Sequence, residues 1–402
     1  MNLSFLKRII EKSKRPVILA GSGIAISNTQ TELKRFVDKL SIPIATAWAH
    51  DIYPNHDKLY FGRQGSIGNR VGNFVVQYAD LVIILGSRLS IRQTSYNWKS
   101  FAKNAFIVSV DIDPNEQNKN LVKIDYKIKS DLKDFFFNFN KIKVEIKNKK
   151  NILKWIDWIS WCNFIKKEFT PKIEDYKNYQ GKINIYHFII ILFKLLKKKE
   201  IIVAADGAAT VVPNQVGYLN NNVKYICNSG SASMGFELPG AIGAGIADKK
   251  KKIICLAGDG SIMLNIQDLE TIKSLNLNVF IFLINNQGYL SIKQTQKNFF
   301  GKENGSSPNS GLNFPDFKKV ANSFGIKSVN LKFSNWQSNL KKILKKKRGP
   351  IFINVEVDTI QEFEPKLKSK TINGKITTPS LEDMYPFISE KKKTEILKKL
   401  NK

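Results

Sequence analysis

Gly258-Asp259-Gly260 and, after a spacer, Asn285-Asn286 are the residues of this chain whose types and spacing point most directly to chemistry. Residues 258–289 read GDGSIMLNIQDLETIKSLNLNVFIFLINNQGY. If the two ends meet in space, one carboxylate, one amide oxygen and a nearby backbone carbonyl converge. That is a hard, all-oxygen ligand set with room for phosphate oxygens, and it suits Mg²⁺.

The surrounding pattern supplies a reason for the ends to meet. Apolar residues at 253–257 predict a strand that delivers the GDG turn. Ile266, Leu269, Ile272 and Leu275, at three-residue steps, predict a helix. A second apolar run at 279–284 predicts a strand that returns to the asparagines. One β-α-β crossover places the ends of two parallel strands side by side.

The GDG turn, a full crossover and NN-x-G together resemble the diphosphate-binding motif of thiamine-diphosphate-dependent enzymes. The resemblance implies metal ligands at Asp259, Asn286 and the backbone carbonyl of Gly288. It places Gly258, Gly260, Ser261 and Tyr289 around the cofactor, with the amides of Gly260 and Ser261 facing phosphate oxygens at a helix start. Residues 229–240, SGSASMGFELPG, are similar to the segment preceding GDG in the acetolactate synthase group. That likeness implies that Met234 is the apolar wedge beneath a bent cofactor, that the carbonyl of Ala232 accepts from its aminopyrimidine, and that Ser233 lies beside them. Relatives carry Gly where Ala232 stands. The strand end at Asp206 and Gly207 reaches the diphosphate in relatives, often with Gln or His side chains; here Ala208 and Ala209 stand there.

Thiamine chemistry also needs a carboxylate that hydrogen-bonds the pyrimidine. In the family that Glu lies on an N-terminal pyrimidine-binding domain, on the order of 150 residues long. This chain starts at the family's middle domain, so no catalytic residue is expected on it and a partner segment would supply the Glu. Glu237 and Glu270 read as structural or rim residues. The family's middle domain binds FAD in several members. The matching loops would be 21–23, Gly65, 86–88 and 111–113, but Ile26 stands where a dinucleotide fingerprint has its third glycine. The resemblance leaves FAD open.

The activity implied is an acetolactate synthase-like decarboxylation and carboligation of a 2-oxo acid such as pyruvate, by a transferase or lyase using thiamine diphosphate and Mg²⁺. Two-carbon transfer to a keto-sugar in surface-polysaccharide synthesis is an alternative, suggested by residues 286–300 and 378–385. A non-catalytic cofactor-binding subunit or truncated enzyme is another. Family members dimerise, so a homodimer or an assembly with a pyrimidine-binding chain is expected.

Bulk properties bound the rest. The 402 residues suffice for two or three domains. The net charge of +30 comes from Lys far more than Arg. Bidentate phosphate recognition favours Arg, so a solvated surface, not nucleic acid, is the expectation. Runs at 197–199, 249–252 and 345–347 fall at predicted helix ends or turns. No apolar run is long enough for a membrane span, and the first sixteen residues predict an amphipathic helix instead of a signal peptide. Cys162, Cys227 and Cys255 have no paired spacing, which fits a reducing cytoplasm. His50, His56 and His187 form no metal-spaced group.

The predicted architecture is α/β, two doubly wound parallel-sheet domains. Strands are predicted at 16–21, 42–47, 79–85 and 106–112, with a capping box at Thr29 and Glu32. Further strands are predicted at 201–205, 224–227, 253–257, 279–284, 326–331 and 351–357, with helices at 235–248 and 314–324. The expected division is a central domain at 1–140, a linker and Trp-rich helix at 141–185, a cofactor-binding domain at 186–375 and a tail at 376–402. The stretch 136–150 reads as linker, and Trp155, Trp158 and Trp161 as a packed aromatic face.

Overall fold

The computed structural model describes residues 2–401 apart from 49–50, 149, 151, 177, 179–180, 197–198, 220–222 and 373–374. His50, Lys197 and Lys198 therefore lie outside the described residues. Two compact units emerge, Met1–Thr170 with Glu364–Lys402, and Pro171–Phe363. These bounds differ from divisions at 140, 185 and 375.

In the first unit, β1 (Pro16–Ala20), β2 (Ile44–Thr46), β3 (Tyr60–Arg63), β4 (Leu81–Leu85), β5 (Phe106–Asp111) and β6 (Tyr126–Lys129) form one sheet in the order β3-β2-β1-β4-β5-β6. Every pair is parallel. The central strands PVILA and LVIIL are buried throughout, as a sheet covered on both faces requires. The edge strands β3 and β6 lie outside the predicted runs. In β6, YKIK, a single residue is buried, too little apolar signal for a strand. Thr29 does precede the helix Gln30–Leu40, but its side chain makes no cap hydrogen bond. Its hydroxyl lies 2.8 Å from that of Ser27 instead, so no capping box forms.

The stretch expected as linker begins inside a helix, Leu132–Asn140. Phe135, Phe136 and Phe139 are buried there and meet the ring of Phe36 edge-on or tilted. The Trp-bearing helix Ile156–Phe169, with Trp155 at its N-cap, belongs to this same unit. The indole N–H groups of Trp155, Trp158 and Trp161 donate to the carbonyls of Ser13, Pro16 and Ile396. Ile396 belongs to the last helix, Glu390–Leu400, so the tail is docked. Lys392 also pairs with Glu168 at 2.5 Å.

In the second unit, β7 (Ile201–Ala204), β8 (Lys224–Cys227), β9 (Ile253–Gly258), β10 (Val279–Asn285), β11 (Ser328–Leu331) and β12 (Ile351–Glu356) form a sheet in the order β11-β12-β10-β9-β7-β8. All its pairs are parallel too. Both units are thus α/β with an all-parallel sheet. From β7 the chain crosses outward to β8, whereas from β9 it crosses the other way to β10. A crevice opens between the carboxyl ends of β7 and β9, the switch point where open α/β sheets hold ligands. Among the described residues, no helix is long and apolar enough to cross a membrane.

Candidate functional site

The switch-point crevice is lined by Asp206, Gly207, Met234, Gly258, Asp259, Gly260, Ser261, Asn286, Gly288 and Tyr289. Four separate stretches of sequence meet there: the end of β7, the loop after β8, the end of β9 and the end of β10. The cavity holds about 70 Å³. That is room for a phosphate group, where a whole ligand site spans about 300 Å³ or more. Ala232 and Ser233 sit on the same loop as Met234 but do not line it.

Asp259 is 2 % exposed. Its Oδ1 accepts from its neighbour Gly260 N–H at 2.7 Å, and its Oδ2 accepts from Gly288 N–H at 3.1 Å. The amide of Gly260 therefore points back at Asp259, not outward as a phosphate donor. Burial raises the Asp259 carboxyl to about 7, against the opposing pull of those backbone N–H groups. One end of the Asn286 amide lies 2.8 Å from the carbonyl oxygen of Gly288 and 3.1 Å from Asp259 Oδ2. With its nitrogen inward, it donates to both. With its oxygen inward, three oxygens face one point and call for a cation. Among the described residues no cluster of three or more His, Cys, Asp or Glu side chains could hold a metal; the set here mixes carboxylate, amide and carbonyl, as hard cations accept.

The two asparagines of the NN pair divide their work. Asn285 donates to Asn354 Oδ1 on β12, and Asn354 donates to Asn330 on β11. Asn285 thus laces the sheet, and only Asn286 reaches the cavity. Between Asn286 and Gly288, Gln287 adopts a φ of +57°. That left-handed residue reverses the chain so that the Asn286 amide and the Gly288 N–H both face Asp259.

Two glycines are required by close approach. A Cβ on Gly260 would overlap the ring of Tyr289, and one on Gly288 would overlap the carbonyl of Ser306. Tyr289 N–H donates to that same carbonyl at 3.0 Å. The segment after GDG is not one long helix. It breaks into Asp259–Ile262, a 3-10 turn at Met263–Asn265 and the helix Asp268–Ser274. Leu269 and Ile272 are buried, while Leu275 is 52 % exposed just past the helix end.

Several lining residues escaped the motif reading: Ile284, Leu290, Ser291 and Ile292. The last three open the helix Leu290–Phe300, whose polar run SIKQTQK gives no periodic signal. Glu237 also differs from its reading as a structural or rim residue in one respect. It is fully buried, one oxygen accepting from Ser261 Oγ at 2.9 Å, and its carboxyl is raised to about 7 by burial first. An acid inside the small, apolar run GFELPGAIGAG was the available signal. Glu270 lies exposed on the helix Asp268–Ser274. His187 bridges the carbonyls of Ile173 and Tyr176, and His56 is exposed.

In the first unit the loops at the strand ends pack on one another. A Cβ on Gly21 would overlap the backbone of Gly86 and Ser87, and one on Gly23 would overlap Gly86. Gly23 N–H donates to Gly86 O at 2.9 Å. Loop-to-loop contact accounts for these glycines.

Comparison with known proteins agrees with two α/β units of this kind. Residues 207–355 match the family model for the thiamine pyrophosphate enzyme C-terminal TPP binding domain, and residues 3–137 match the central domain of the same enzymes. The chain is 34% identical over 345 residues to a probable acetolactate synthase large subunit of Methanococcus aeolicus, covering 82% of this chain and 55% of that protein. It is 31% identical over 363 residues to the acetolactate synthase large subunit of Buchnera aphidicola subsp. Schizaphis graminum, covering 89% and 62%. Against the chloroplastic acetolactate synthase 1 of Zea mays it is 30% identical over 369 residues, covering 90% and 56%. The chain thus spans less than two thirds of the length of these relatives.

Proposed function

The chain belongs to the thiamine pyrophosphate enzymes, and from that premise we propose that it is the central and diphosphate-binding portion of an acetolactate synthase-like carboligase. The substrate class is a 2-oxo acid such as pyruvate. The observation that carries the proposal is the meeting of Asp259 Oδ2, the Asn286 amide and the Gly288 carbonyl at the switch point. Relatives named acetolactate synthase favour this reading over two-carbon transfer to a keto-sugar.

In this proposal Asp259, the inward-turned Asn286 oxygen and the Gly288 carbonyl would hold Mg²⁺. An adjacent cation would favour the ionised form of the Asp259 carboxyl, against the burial that raises it. Asp206, Gly207 and Ser261 border the diphosphate. Met234, half-buried at the cavity wall, would pack as the apolar wedge against the cofactor, with Ala232 and Ser233 flanking it. Tyr289 stacks over Gly260 and closes the turn. Thiamine diphosphate, once bound, supplies the thiazolium ring that serves as electron sink. The cytoplasm, where 2-oxo acids and Mg²⁺ are supplied, is the proposed location. Flavin has no part in the proposal.

The activating carboxylate is proposed to come from a pyrimidine-binding segment, with the working enzyme an assembly of such a segment and this chain, in dimers. The test is calorimetry of thiamine diphosphate with and without Mg²⁺, on the wild type and Asp259→Ala. Magnesium-dependent binding that disappears in the variant supports the proposal. Binding that is indifferent to both changes refutes it. Pyruvate decarboxylation on adding a pyrimidine-binding chain then tests the reaction.

A further inference from the structure

Glu237 sits behind the cavity wall at the first turn of the helix Glu237–Ala247. It is 0 % exposed, and its Oε1 is buried without a hydrogen-bond partner. Its Oε2 lies 2.9 Å from Ser261 Oγ. Ser261 Oγ accepts in turn from the N–H of Gly235 at 2.8 Å, and Ser261 lines the cavity. Gly235 follows Met234, so one hydroxyl joins the loop bearing the wedge to the turn bearing the diphosphate ligands.

A serine hydroxyl has one hydrogen and two lone pairs. One lone pair is committed to Gly235. An ionised Glu237 can only accept, so it takes the single Ser261 hydrogen and leaves the hydroxyl of this lining residue with only a lone pair to offer an anion, which would be repelled. A neutral Glu237 donates to Ser261 Oγ, and the Ser261 hydrogen is then free to point at a phosphate oxygen. We infer that Glu237 is a positioning residue for Ser261, a carboxyl whose proton decides whether that hydroxyl serves the diphosphate as a donor.

The surroundings favour the neutral form. The charged group bearing on Glu237 is Asp206, another anion. Asp259 belongs to the same turn as Ser261, and the Cys255 thiol lies 3.5 Å from the Glu237 carbonyl. A bare buried oxygen is costly on a charged carboxylate, and burial raises this group to about 7. An incoming diphosphate adds negative charge and completes the protonation, so binding takes up a proton from solvent above neutral pH. The inference rests on the proposed diphosphate site but not on thiamine itself.

The test uses inorganic diphosphate with Mg²⁺ on the full chain, by calorimetry at about pH 6.5 and about pH 8.5 in buffers of different ionisation enthalpy. Only the protonated fraction binds well, so wild-type affinity falls about tenfold more over that range than that of Glu237→Gln. Proton uptake at the higher pH exceeds that of the variant by up to one. Comparison with the variant cancels the titration of Asp259 and of the ligand. Ser261→Ala shows the flat profile too, and it keeps the question decidable should Glu237→Gln fail to fold. Infrared difference spectra between wild type and Glu237→Gln show a neutral carboxyl band that fades as pH rises. Equal pH profiles and equal proton counts in all three proteins would overturn the inference. Absence of magnesium diphosphate binding at either pH would instead sink the site itself.

Discussion

Both sheets carry six parallel strands, and each has a point where successive crossovers run in opposite directions. At the strand ends of the first unit, Gly21 and Gly23 let their loop pack against the loop of Gly86. At those of the second, Gly260 and Gly288 make room for a tyrosine ring and a carbonyl beside a buried aspartate. At these strand ends the same architecture therefore gives a packed edge in the first unit and a polar cavity in the second. A doubly wound sheet supplies a place for a ligand; the side chains at the crevice decide whether one can be held.

Breaking the second site should have the largest effect. Asp259→Ala is expected to weaken magnesium-dependent thiamine diphosphate binding about 100-fold or more, since even outer residues of metal sites cost 10- to 100-fold; calorimetry reads it. Retained affinity would mean the three oxygens are not the anchor. The matched glycine pair sharpens the contrast. Gly21→Ala pushes a methyl group into backbone that cannot yield, and should cost about 1–3 kcal/mol in urea unfolding with affinity unchanged. Gly260→Ala meets a ring that can swing away, so stability should change little while affinity drops about tenfold. If both variants behaved alike, the distinction between packed edge and ligand edge would fail.

Stability should also depend on pH through the second unit. Glu237 has its folded value raised to about 7 from an ordinary 4.5. The folded state therefore holds the proton more tightly. The stability this contributes is whole below about pH 4.5 and is lost as pH rises to about 7. Against Glu237→Gln, the wild type should lose on the order of 2 kcal/mol between about pH 5 and pH 8 in denaturant titrations. A parallel pH dependence in the two proteins would count against a neutral buried Glu237. The smallest effect belongs to the first unit. Trp161→Phe removes the hydrogen bond to Ile396 and should cost about 1 kcal/mol. It should speed protease cleavage of the last helix and leave cofactor affinity intact.

Much of this was legible in the residues. The strands β9 and β10 were visible because parallel strands buried on both faces read as unbroken apolar runs, and the turn between them carried its own motif. Edge strands were harder. Tyr60–Arg63 contains a glycine and a buried arginine, and Tyr126–Lys129 alternates with lysine. Phe136 and Phe139 were read as linker because Lys and Asn follow them, yet their rings fill the core around Phe36. Local composition cannot report a partner a hundred residues away. The same limit hid the role of Asn285, which turns into the sheet, and the burial of Glu237, set by Ser261 on another strand end. Thr29 had the right spacing for a cap, but its hydroxyl found Ser27 first.

The return of residues 364–402 to the first unit has a consequence for synthesis. Residues 171–363 emerge from the ribosome as one uninterrupted stretch and hold all the candidate ligands. The first unit, begun earlier, must wait for the last helix before Trp161 finds Ile396 and Glu168 finds Lys392. Domains fold as units during translation, the earlier ones first. Here the topology predicts the inverted order: the unit that starts first is expected to finish last, after the inserted one.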